Sequence, residues 1–108
     1  MIVLVNKFIL ARGFKGISLW PFIILKSEIF KDDPVLLNHE KIHLKQQAEL
    51  LVIFFYLWYG IEYLIRIFQY KKRHLAYRNI SFEREAYKNE GDMNYINSRR
   101  FLDYLKYL

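Results

Sequence analysis

Residues 39–43 read His39-Glu40-Lys41-Ile42-His43, the pattern H-E-x-x-H. On a helix, positions four apart lie on one face, so both imidazoles can bind a single ion. Glu40 then projects beside them, placed to act as general base on a water activated by that ion. The pentapeptide holds two of the chain's three histidines. The chemistry it points to is metal-assisted hydrolysis, with zinc the usual ion for such a set. The bland alternative is a solvated helix face carrying two incidental histidines.

A catalytic zinc needs a third protein ligand and an open fourth position. The chain has no cysteine and only His74 remains among the histidines, so carboxylates lead. Glu49 lies on the same helix, more than one turn past His43, and cannot bend back. Residues 48–59 contain no glycine or proline. A continuous helix there would carry Glu62 about 28 Å along the axis from His43. Arg66, four residues on, already offers Glu62 a partner. In Ile80–Glu90, Glu83 and Glu85 stand about 200° apart on a helix, so only one can face the ion. Glu83 shares its face with Ile80, Ala86 and Tyr87, and is expected to point inward. The expected ligands are therefore His39, His43 and Glu83. The alternative for Glu83 is a surface carboxylate paired with Arg84 or a lysine.

The elements that must position these residues follow from punctuation and spacing. The 108 residues make one domain, 1–108. Residues 2–11 suit a strand, Arg12 to Gly16 a turn, and Ile17 to Leu25 a second strand bent at Pro21. Asp33 is a suitable N-cap and Pro34 suits the first helical position, which places the motif on a helix. Nothing breaks that helix before Gly60. Residues 61–72 look helical again, Lys71 to His74 form a polar joint, and a further helix covers about 80–90, ended by Gly91. Asp92 is read as capping a last helix to about Tyr107, with Phe101, Leu102 and Leu105 inward. The fold class is α+β: a small N-terminal antiparallel sheet followed by three or four helices.

The chain resembles a zincin metallopeptidase of the gluzincin branch, in a very small form. The likeness covers residues 34–90 and rests on H-E-x-x-H, on its extension His39-Glu40-Lys41-Ile42-His43-Leu44-Lys45-Gln46-Gln47, and on a downstream glutamate helix. That helix often reads E-x-x-A-D in the family; here it is Glu83-Arg84-Glu85-Ala86-Tyr87. Tyr87 stands where the family often has an aspartate that orients the first histidine. The resemblance implies a minimal zincin-like core holding Zn2+ on His39, His43 and Glu83, with Glu40 as general base in peptide-bond hydrolysis. It also implies a donor for the oxyanion, with Tyr77, Tyr87 and His74 open, and a substrate strand aligned along 17–25. The small size suggests an open, shallow cleft. The rival is a non-catalytic metal-binding or membrane-associated interaction module with a vestigial H-E-x-x-H.

Composition bounds the rest. Hydrophobic residues are 54% of the chain, above the roughly 45–50% of an average soluble domain. Disorder is excluded, as are disulfide scaffolds and thiolate chemistry, since Cys is 0. The N-terminus lacks the small-residue cleavage site of a signal peptide, so no cleavable signal is expected. Residues 50–68 are apolar apart from Glu62, Arg66 and tyrosine hydroxyls. Such a helix must be buried, form a homodimer, or meet a membrane. Lys71, Lys72, Arg73 and Arg78 follow it, where anionic lipid could meet them. The expected partners are a peptide or protein substrate, a membrane surface and a second copy through 50–68. The expected location is membrane-associated or cytoplasmic. The formal net charge of +6 also raises nucleic acid, but the basic residues are dispersed and no nucleic-acid motif accompanies them.

Overall fold

The structure, a computed structural model, describes residues 2–8 and 14–108. Among the described residues, three strands are followed by five helices: β1 (Ile2–Val5), β2 (Gly16–Leu19), β3 (Phe22–Leu25), α1 (Pro34–Glu49), α2 (Ile53–Tyr70), α3 (Arg73–Arg78), α4 (Ser81–Asn89) and α5 (Tyr95–Ser98). Short 3-10 turns cover Glu28–Asp32 and Asp103–Tyr107. The chain is α+β, with its small sheet at the N-terminus.

The sheet differs from expectation in two ways. Ile17 to Leu25 is a hairpin rather than one bent strand, because Trp20-Pro21 makes the turn, through a cis bond. Proline has no N–H to give a ladder, so the turn is where it costs least. β2 and β3 are antiparallel, pairing Ile17 with Ile24 and Leu19 with Phe22 inside the segment expected as one strand. β1, however, lies parallel to β3 on its other side, pairing Val3 with Ile23, so the sheet is mixed. β3 is the central strand, and Ile23 and Leu25 are fully buried. The strand expected over residues 2–11 ends at Val5, because Asn6 to Phe8 form a turn in which Asn6 Oδ1 accepts from Phe8 N at 2.8 Å; residues 9–13 of that strand and of the following turn lie outside the described residues.

α1 starts as its sequence dictates: the Asp33 side chain accepts from Leu36 N at 3.1 Å, and Pro34 takes the first position. It is the middle layer. Leu44, with Leu36 and Leu37, packs on Ile23 and Leu25 of the sheet. Ile42 packs on Ala86 of α4 and Tyr95 of α5. A helix covered on two sides needs two inward stripes, and the H-E-x-x-H-x-x-Q-Q run supplies them. His39, His43 and Gln46 face α4, while Glu40 and Gln47 face β2.

The continuous helix expected up to Gly60 is absent. α1 ends at Glu49, and Leu51 and Val52 take φ of 56° and 62°. The axis turns by 112° into α2. Left-handed backbone costs a non-glycine residue about 1–2 kcal/mol. Val52 N bonds Gln47 O at 2.7 Å, closing the end of α1. The cost is offset by tertiary packing, since the turn seats Phe55 among Ile80, Phe82 and Tyr104. Gly60 lies inside α2 and breaks nothing. The last helix is also shorter than expected. α5 stops at Ser98, Leu102 has φ 55°, and Tyr95, Asp103 and Tyr104 are the buried residues there, while Phe101 and Leu105 are exposed.

Candidate metal centre

His39 and His43 rise from α1 and Glu83 from the first turn of α4. Their ligating atoms converge. His39 Nε2 and His43 Nε2 are 3.1 Å apart, and Glu83 Oε1 is 3.2 Å from the first and 3.1 Å from the second. Donors bound about 2.0–2.1 Å from a tetrahedral ion stand about 3.3 Å apart. The triangle is therefore nearly the face of a tetrahedron that one ion would complete. The group could hold a metal ion.

Each ligand is fixed through its other polar atom, which is how metal sites set orientation and tautomer. His39 Nδ1 donates to Glu90 Oε2 at 2.7 Å. Gln46 Nε2 donates to Phe82 O and to Glu85 Oε1, at 3.1 and 2.9 Å. That commits Gln46 Oε1 to accept from His43 Nδ1, at 2.8 Å. Tyr59 donates to Glu83 Oε2 at 2.8 Å, leaving Oε1 for the shared position. With both Nδ1 atoms committed to these partners, both Nε2 atoms point at the Glu83 carboxylate. In the metal-free protein a proton on His43 bridges Nε2 and Glu83 Oε1, and a bound metal ion would take that proton's place.

The electrostatics agree. Burial alone would depress the His43 imidazole, but the facing Glu83 carboxylate, with Glu40 beyond it, carries the pKa up from 6.5 to about 9. Burial would raise the Glu83 carboxyl, yet His43 and His39 hold it far below the usual carboxylate range. Burial and the nearby Glu83 charge push the Tyr59 and Tyr77 hydroxyls up, so both keep their protons.

Glu40 sits on the adjoining stripe. The Ser18 hydroxyl of β2 donates to Glu40 Oε2 at 2.5 Å, and Glu40 O lies 3.1 Å from the same oxygen. Its charge is felt at His43, Tyr77 and Tyr56, so the carboxylate belongs to this neighbourhood. β2 is an edge strand, as order β1-β3-β2 requires. Part of that edge is already used: Ser18 O accepts from Gln47 Nε2 at 2.9 Å and from Tyr56 at 3.1 Å, and Trp20 N donates to Gln47 Oε1 at 2.7 Å.

The other carboxylates go elsewhere. Glu49 accepts from Arg99 and from Leu102 N. The chain does reverse before Glu62, contrary to the straight-helix argument, but Glu62 accepts from Ser81 N and Oγ, each at 2.6 Å, and from Trp58 and Arg66. Glu85 is fully buried rather than solvated and accepts from Gln46, Tyr95 and Arg99. Among the candidate donors, His74 is exposed on α3, while Tyr77 and Tyr87 are half-buried and meet edge to face, centroids 6.5 Å apart. Tyr87 meets His39 by ring edge, centroids 4.5 Å apart. The orienting carboxylate is Glu90, which the sequence reading passed over. Its signal was present, since seven residues from Glu83 is about two helical turns. Tyr59 had none, because only the break at 51–52 brings α2 back. The cleft is not open: His39, His43 and Glu83 are each 5% exposed or less. No protein-family model, no curated protein and no solved structure matches this chain.

Proposed function

We propose that the chain is a zinc-dependent peptidase of gluzincin type, with His39, His43 and Glu83 as ligands and Glu40 as general base. The observation that carries it is the triangle of two Nε2 atoms and Glu83 Oε1, with edges of 3.1–3.2 Å. Two imidazoles and one carboxylate suit zinc, and a zincin would use this set. When bound, zinc supplies Lewis acidity, lowering the pKa of water toward about 7 and polarising a carbonyl. Glu40 accepts the proton of the attacking water and returns it to the departing amine. Ser18 holds the Glu40 carboxylate while the proton moves. Tyr77 and Tyr87, whose hydroxyls are held protonated by burial and the Glu83 charge, are the candidate donors.

A second reading has its own support. The ligands are closely buried and every one is tied by a partner, which suits a non-catalytic, structural ion in an interaction module. Glu40 separates the two. In the peptidase, Glu40→Gln keeps zinc and loses hydrolysis of a fluorogenic peptide library by about 10²- to 10⁴-fold. Glu83→Ala loses zinc, while Glu62→Ala retains it in whatever fraction folds. Hydrolysis by Glu40→Gln at the wild-type rate would overturn the base assignment. Zinc in every preparation but no cleavage by wild type would favour the structural ion.

A further inference from the structure

We infer that the outward face of α2 docks on an anionic lipid surface, lying along it rather than crossing it. α2 is neither enclosed by the fold nor an ordinary surface helix. Of its 18 residues only Phe55 and Glu62 are buried. Phe54, Leu57, Ile61, Leu64, Ile65 and Phe68 are between 49% and 82% exposed. At 100° per residue the charge-free arc from Ile53 round to Trp58 spans about 140°. The two charged residues of α2 are turned away from it. Glu62 is buried on Ser81, and Arg66 is drawn to Glu62 at 3.1 Å. The Glu62–Arg66 ion pair therefore lies beside the charge-free arc and not within it.

Three observations choose lipid over a second copy. The apolar arc is much wider than the narrow seam through which two helices pack. A groove of about 430 Å³, lined by the apolar Phe54, Leu57, Trp58, Ile61, Ile65 and Leu108 together with the paired Glu62 and Arg66, has the size and mainly apolar lining to take part of an acyl chain. Exposed Lys71, Lys72 and Arg73 follow the helix directly, and residues 63–82 contain no Asp or Glu. Cations next to an apolar helical face complement anionic headgroups. Among the described residues no single helix is long and apolar enough to cross a membrane, which fits a helix in the interfacial plane.

The full chain with Trp20→Phe keeps Trp58 as its one tryptophan. Mixed with vesicles of phosphatidylglycerol and phosphatidylcholine, it should float with them, and Trp58 emission should shift to the blue and be quenched by brominated acyl chains. Binding to phosphatidylcholine alone should be at least tenfold weaker. Leu57→Glu with Ile61→Glu, both on exposed positions, should abolish binding to either vesicle. Replacing Lys71, Lys72 and Arg73 by Gln should remove only the anionic preference. Absence of flotation, or a dimer in detergent-free solution that the Glu variant dissociates without any vesicle binding, overturns the inference. So does binding that depends on the cations but not on Leu57 and Ile61. If the Glu variant fails to fold, Trp58 quenching in the folded chain decides alone, and unquenched emission counts against the proposal.

Discussion

Replacing Arg99 by Met should destabilise this protein more than removing any surface ion pair, and a second substitution should restore most of the loss. The Arg99 side chain is 2% exposed and that of Glu85 0%. The guanidinium binds Glu85 Oε2 through Nε at 2.5 Å, Glu85 Oε1 through Nη2 at 3.2 Å, and Glu49 Oε2 through Nη1 at 2.6 Å. Met fills similar volume and removes the charge. Glu85 then keeps Tyr95 and Gln46 as donors but has no countercharge in a dry interior. Breaking a buried pair in this way costs about 3–5 kcal/mol. A domain of this length has roughly 5–15 kcal/mol in total. At about 4 °C or more per kcal/mol, Tm should fall by at least about 12 °C. Glu85→Gln in the same chain removes the orphaned charge. Its amide oxygen still accepts from Gln46 Nε2, and its NH₂ can donate to Tyr95, which then donates to Asp103 Oδ2, 3.1 Å away. The double variant should recover all but about 1–2 kcal/mol. The same network reaches the site through Gln46, whose carbonyl oxygen holds His43. Metal affinity of the double variant should therefore stay close to wild type. Urea unfolding of the metal-free proteins measures the first claim, and zinc titration against a competing chelator the second. A loss below 1 kcal/mol for Arg99→Met, or a double variant no more stable than the single, would falsify the buried-charge argument.

Two further outcomes concern the centre itself. Glu90→Ala should lower metal affinity about 10- to 100-fold by freeing His39, whereas Tyr87→Phe should change it by less than about threefold, because Tyr87 touches His39 by its ring edge; equal losses in a chelator competition would return the orienting role to the Tyr87 hydroxyl. Metal binding should also displace the proton that His43 holds below about pH 9, so affinity should rise with pH up to that point and level off above it. The sign for the metal-free fold is the reverse: a pKa raised from 6.5 to about 9 gives stability that is full below 6.5 and fades as pH rises through 9. Calorimetry in buffers of different ionisation enthalpy detects the released proton, and a proton count of zero at pH 7 would contradict this account of His43.

What the sequence made legible was whatever local spacing controls. Asp33-Pro34 placed the start of α1, and 80–90 placed α4. Convergence of His39, His43 and Glu83 was legible too, through i,i+4 spacing and the inward face assigned to Glu83. What stayed hidden was set by packing between distant segments. Leu51 and Val52 carry no turn signal, and their left-handed backbone exists because Phe55 gains a place against Phe82 and Tyr104. The inside–outside choice for Glu85 failed for a related reason. Helical spacing suggests one buried face for α4, but α4 buries Phe82 and Glu85 as well as Glu83 and Ala86. A carboxylate on the second face is tolerable only because Arg99, fourteen residues on, comes back to meet it.

The placement of Glu62 shows how a correct outcome can rest on a wrong premise. A straight helix would have carried it out of reach; the actual chain turns by 112° and brings α2 back across α4. Glu62 is not among the converging side chains, and Ser81 N and Oγ, Trp58 and Arg66 supply donors for both its oxygens. The same reversal delivers Tyr59 to Glu83, so the segment that seemed only an apolar appendage supplies a hydrogen bond to the centre. α2 thus has two chemically opposite sides. One carries Tyr59 and Glu62 to α4, and the other carries only apolar side chains outward. A disturbance of the break at Leu51 and Val52 should therefore loosen the Tyr59–Glu83 hydrogen bond and reorient the exposed face together.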